Sequence, residues 1–100
     1  MQTAAERIGT LIQKEPAGER RDKLVKAEQD AIGFYFDMLK AINRLNLLGT
    51  TEWPDAAPMK DAVRVINKAC AANREPLLFG TDKNIHDMAD LYEFAGQVAA

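Results

Sequence analysis

One hundred residues give room for a single core, and 47% hydrophobic content is too rich for a disordered chain. Thirteen basic against fifteen acidic residues leave a formal charge of −2, which excludes both a strongly basic nucleic-acid binder and a strongly acidic DNA mimic. A single cysteine, Cys70, excludes an internal disulfide and with it a stapled secreted scaffold.

No apolar run approaches the roughly 20 residues of a membrane span. The N-terminus lacks the basic and apolar regions of a signal peptide, so the expected compartment is the cytoplasm, with no membrane partner. Four stretches carry helical periodicity and none carries sustained strand alternation. The expectation is one all-α domain over residues 1–100.

The first helix is expected over about Thr3 to Lys14. Ala4, Ile8, Leu11 and Ile12 make its apolar stripe, and Thr3 with Glu6 has the spacing of a capping box. Glu15-Pro16-Ala17-Gly18 ends it. The second helix runs from about Glu19 to Leu48 without a proline. Glu19 and Lys23, and Asp22 and Lys26, are acid-before-base pairs one turn apart, and Gly49 is the expected left-handed stop.

The polar arc of this helix is narrow: Asp22, Lys26, Gln29, Asp30, Gly33, Asp37, Lys40 and Arg44. Leu24, Ala31, Tyr35, Met38, Ile42 and Leu45 form one apolar line, Val25, Ile32, Phe36 and Leu39 a second, and Phe34 lies at the far edge. A surface helix needs an apolar stripe of only about 100°. A wider one predicts a central helix covered from two sides. Thirty residues would span about 45 Å, whereas a globule of this size has a radius of gyration near ~13 Å. Either the helix bends near Gly33, or a second chain covers the overhang. The second alternative, an isologous homodimer, is preferred.

A linker from Thr50 to Ala57 carries Trp53 and Pro54. Pro58 suits the first position of a third helix, which runs to about Arg74 on a face of Met59, Ala62, Val63, Ile66, Ala69, Cys70 and Asn73. Leu77-Leu78-Phe79-Gly80 is an apolar connector. Thr81 or Asp82 is expected to cap a fourth helix, with a buried face of Ile85, Met88, Ala89, Tyr92, Ala95, Gly96 and Ala99. The architecture expected is a bundle of about four helices built round one long central helix.

No chemistry rises above this frame. His86, with Asp90 at i+4, offers two ligands where a zinc site wants three or four, and it reads as a solvated histidine beside carboxylates. Cys70 on an apolar stripe reads as a small buried hydrophobe. Asp30 with Asp37, and Asp87 with Asp90, fall on ordinary polar arcs. Gly80-Thr81-Asp82-Lys83 lacks the Gly-rich loop after a strand that a phosphate-binding turn requires. The chain is therefore read as non-enzymatic, with no catalytic residue, metal or cofactor.

Two kinds of residue point to partners. Trp53, Phe79 and Phe94 have no evident place on a buried face; aromatic side chains of this kind anchor interfaces, and they are assigned to a protein partner. Phe34, Met38 and Leu45 are assigned to self-association. On this reading Phe94→Asp leaves the fold intact and weakens a contact. Lys60, Arg64 and Lys68 recur at i, i+4, i+8 on the third helix, a spacing of like charges that costs stability unless something answers them. An acidic ladder from Asp87, Asp90 and Glu93 is the simplest answer. With Arg20 and Arg21, the stripe also gives the alternative reading, a nucleic-acid-associated regulator.

The preferred function is a small protein–protein interaction module, an adaptor or inhibitor that covers a partner surface. Phage- or plasmid-encoded inhibitors, immunity proteins and secretion chaperones are similar in size and composition, an analogy that carries no argument about fold or site.

Overall fold

The computed structural model describes residues 2–78 and 87–100. Among these residues there are four helices and no strand: α1 (Ala4–Lys14), α2 (Glu19–Leu48), α3 (Ala57–Ala72) and α4 (Met88–Ala99). The bundle is built round α2, which touches all three others, α3 most extensively and α4 next.

The ends of the helices follow from local chemistry. Thr3 is extended and its hydroxyl accepts from the Glu6 N–H at 3.1 Å, filling one of the orphan donors of α1. Glu19 pairs with Lys23 at 3.2 Å in the first turns of α2. Lys26 turns not to Asp22 but to Asp30, at 3.0 Å. Gly49 closes α2 in the left-handed region, φ 74°, and its N–H donates to the Leu45 carbonyl at 2.8 Å. A residue with a Cβ resists that conformation, so Gly49 is the stop that the sequence predicts. Pro58 stands in the first turn of α3, and the Asp55 carboxylate accepts from the Ala57 N–H at 3.0 Å. Asp87 is extended and accepts from the Ala89 N–H at 3.0 Å, so α4 begins at Met88. The caps expected at Thr81 or Asp82 lie outside the described residues.

Helix α2 is continuous through Gly33 over 30 residues. The long axis of the molecule, 46 Å, matches the roughly 45 Å of an α-helix of that length. The radius of gyration is 14.1 Å, a little above the ~13 Å of a compact domain of this size. The elongation comes from the helix itself.

The core forms along one seam of α2. Leu24, Ala27, Ala31, Phe34, Met38 and Ala41 are buried. Their spacing alternates three and four residues, the seven-residue repeat by which one helix packs along another. Against them lie Ile8 and Leu11 of α1, Met59, Ala62, Val63, Ile66 and Cys70 of α3, and Leu91, Phe94, Ala95 and Val98 of α4. Alanines at three of the six seam positions let neighbouring helices approach closely. Tyr35, on the flank of the seam, meets Tyr92 of α4 edge-to-face with centroids 5.4 Å apart. Gly96 leaves room for the Tyr35 ring, because a Cβ there would stand 3.1 Å from the Tyr35 Cε1.

This seam corrects two self-association assignments. Phe34 is 5% exposed and Met38 is 5% exposed, so both are core residues of a single chain. The apolar line through Ala31, Tyr35 and Ile42 leaves out Ala27 and Ala41, whose burial moves the centre of the face toward Phe34. Phe94 is also corrected. It is 4% exposed, inside the bundle, and is not available to a partner. The face of α4 is set by its largest apolar groups, Leu91, Phe94 and Val98, while Ala89 is exposed and Met88, Tyr92, Gly96 and Ala99 are half-buried.

Candidate interaction surface

The seven-residue seam of α2 does not stop where the core stops. Its next two positions are Leu45 and Leu48, and these are 39% and 73% exposed. Leu47, between them, is 83% exposed, and Trp53, four residues beyond the Gly49 cap, is 49% exposed. Taking Leu and Trp side chains at their usual areas, these four groups leave on the order of 400 Å² of apolar surface open. That total, spread over the seam face and the neighbouring face of Leu47, is the size of the largest apolar patch on an ordinary monomer, which is often a functional one. Of the residues singled out from sequence for partners, the structure brings Trp53 and Leu45 to this end. Leu47 and Leu48 stand in neither of the apolar lines that the sequence assigns to α2, and the structure adds them to this end.

A second apolar ridge runs along the flank of α2. Phe36 is 52% exposed, between half-buried Ile32 and Leu39, and its ring meets Tyr35 edge-to-face at 5.5 Å. Phe79 and His86 lie outside the described residues.

At the opposite end of α2, α3 returns antiparallel. The C-terminal half of α3 and the first turns of α2 enclose a groove of about 390 Å³, whose lining includes Glu15, Glu19, Arg20, Lys23, Leu24 and Lys68. Arg20 and Lys68 meet in this groove, while Arg21, Lys60 and Arg64 do not line it. Its charge is mixed, and Lys23 is already paired with Glu19. Arg64 is paired with Asp61 of its own helix at 3.0 Å, and no ion pair among the described residues joins α3 to the acids of α4. Of the basic stripe, Arg64 alone has an ion pair among the described residues, and Lys68 lines a groove that also holds Glu15 and Glu19. The same end is tied to α1: Glu75 receives Lys14 at 3.2 Å and Arg7 at 3.8 Å, and the Arg7 guanidinium also donates to the Pro76 carbonyl.

Two groups have shifted ionisation. Burial pushes the Cys70 thiol up from its ordinary value, only partly opposed by a hydrogen bond with the Leu78 backbone. Loss of solvent also raises the Tyr92 phenol, with the Tyr35 hydroxyl beside it adding to the effect. Neither environment activates a nucleophile, since a reactive thiolate needs a lowered pKa and access. Among the described residues no group of three or more His, Cys, Asp or Glu side chains is placed to hold a metal ion. No described helix is long and apolar enough to cross a membrane.

The core of α3 contains one polar exception. Asn67 is 6% exposed, and neither its side-chain nitrogen nor its oxygen has a hydrogen-bond partner among the described residues. Sequence reading passed over it, because an asparagine between Val63 and Cys70 reads as a gap in the apolar stripe.

No protein family, curated protein or solved structure matches this chain.

Proposed function

We propose that this protein is a non-enzymatic protein–protein interaction module, an adaptor or inhibitor that works by presenting the C-terminal end of α2 to a partner. The observation that carries the reading is the run of the α2 seam past its own core, which leaves Leu45 and Leu48 exposed, with Leu47 exposed on the neighbouring face and Trp53 exposed four residues beyond the Gly49 cap. Large apolar side chains gathered at one end of a helix are costly to leave in water and are characteristic of surfaces that are covered in use. The chain's single cysteine, Cys70, is buried, no internal disulfide is needed to hold the fold, and the cytoplasm is the proposed location.

The nucleic-acid reading draws less support. Of its cations, Arg64 is paired with Asp61, and Arg20 and Lys68 line a groove that also holds Glu15 and Glu19. Backbone binding to nucleic acid uses free cations that displace counterions.

The test is capture from the native cell with the wild-type chain and with Leu47→Asp/Leu48→Asp as paired baits, each divided into nuclease-treated and untreated halves. A stoichiometric protein that survives nuclease and is lost with the double variant supports the module. Partners that are unchanged by the variant, or that vanish with nuclease, overturn it.

A further inference from the structure

We infer that the exposed end of α2 is covered by the same end of a second copy of this chain, packed antiparallel about a two-fold axis. The inference rests on the interaction reading above and names the occupant of that surface. Three observations select a second copy.

The first is the spacing. Leu45 and Leu48 continue a three-and-four repeat that runs from Leu24, and such a repeat is complementary to another helix. In an antiparallel pair the two kinds of seam position oppose each other. Leu45 then packs on Leu48 of the second copy and Leu48 on its Leu45, so one short surface satisfies itself, as an isologous interface requires.

The second observation is charge. Helix α2 has no basic residue in its last turn, so the helix itself places no cation at the negative end of its dipole. The register that joins Leu45 to Leu48 of the second copy also sets Arg44 level with Gly49 of that copy, within a side chain's length of the C-terminus of its helix. Arg44 has no ion pair among the described residues, and neither has Glu52 just beyond the cap. Each copy therefore offers a free cation where the other presents helix-end carbonyls and a free carboxylate.

The third is area. Leu45, Leu48 and Trp53 bury on the order of 600 Å² when two copies meet, and the flanking Arg44 and Glu52 carry the total toward the roughly 1,000 Å² at the low end of specific interfaces, the size of a weak dimer. Leu47, three turns on from Phe36, is on the face of Phe36 and not in this interface. The apolar ridge at Phe36 lies on another face of α2 and stays open to other proteins in such a dimer.

The experiment is sedimentation velocity on the full chain over a wide concentration range, with Leu48→Glu, Arg44→Glu and the unchanged protein compared, and far-UV circular dichroism on each. The expected result is a concentration-dependent dimer. Its dissociation constant rises more than about tenfold in Leu48→Glu, and less in Arg44→Glu, with helicity kept in both. Single-cysteine variants fix the register. Leu45→Cys mixed with Leu48→Cys is expected to form a disulfide between the two different chains, in preference to pairing of either with itself. A dimer that Leu48→Glu leaves intact overturns the inference, and so does self-pairing of each variant, which is the mark of a parallel arrangement. A monomer at every concentration overturns it too. In that case the paired-bait capture still decides the module reading separately: a partner lost with the Leu47/Leu48 variant keeps that reading, and no such loss removes both.

Discussion

Replacing Asn67 by leucine should stabilise the protein. Asn67 sits on the packed face of α3 with Val63, Ile66 and Cys70, and both polar atoms of its amide are buried with no partner among the described residues. Each unsatisfied buried polar group costs about 1–3 kcal/mol. Leucine has the same branched skeleton but two methyl groups in place of the amide's oxygen and nitrogen, so it is larger by roughly 50 Å³ and gives back about 1 kcal/mol to tighter packing. Helix propensity favours leucine over asparagine, by up to about 0.5 kcal/mol. The expected net gain is about 1 kcal/mol. For a domain of this length that corresponds to a rise in Tm of roughly 4–8 °C. Thermal melts by circular dichroism measure it, at one fixed low protein concentration so that self-association does not enter the comparison. Urea titration should show a higher midpoint with an unchanged slope. An unchanged or lowered Tm would refute the reasoning, because it would mean that the amide is satisfied in solution by water or by another part of the chain.

Three further outcomes follow from the packing. Phe94→Asp should unfold the protein, since it removes a buried ring worth about 3–5 kcal/mol and places a carboxylate in the core; persistence of native helicity in circular dichroism would contradict the burial of Phe94. Gly33→Ala should add about 0.5–1 kcal/mol, because a Cβ there meets nothing within 4 Å, whereas Gly96→Ala should lose much or all of the same propensity gain against the Tyr35 ring; paired melts of the two variants give the comparison. The Cys70 thiol, raised by burial, holds its proton more tightly folded than unfolded, so its contribution to stability is complete below the unfolded thiol value of about 8.5 and declines as pH rises above it. Urea midpoints between neutral and alkaline pH should therefore fall less steeply in Cys70→Ala than in the unchanged protein, and a parallel fall would remove the assignment.

The bundle was legible because its boundaries are written in single residues. Thr3, Gly49 and Pro58 each do one local job at a helix end, and they do it in the structure as the sequence predicts. The facing of the helices was less legible. On α2 and α4 the apolar arc is wider than the buried one, so the wheel alone does not choose which part faces inward. Ala27, Ala31 and Ala41 decide it for α2, since small residues mark where a neighbouring helix comes close, and Phe34 and Met38 go inside with them. For α4 the choice falls to Leu91, Phe94 and Val98, which bury most area. The candidate surface was half legible for the same reason. Trp53 stands out of any periodic face, but Leu47 and Leu48 are visible as surface only once α2 is seen to extend beyond its neighbours. Asn67 gave no signal, as a buried amide without a partner is indistinguishable in sequence from one that has one.

The unbroken course of α2 has a metric consequence. Leu24, at the groove beside α3, and Leu45, at the open end, are 21 residues apart on one rod, or about 32 Å. In the two-fold arrangement the open ends meet, and the two grooves are carried outward to opposite poles, on the order of 60–70 Å apart. A rod does not let that spacing breathe as a jointed connection would. A target bearing two matching features at that separation would be held by both at once and gain avidity, while one with the features closer together would be held by one alone.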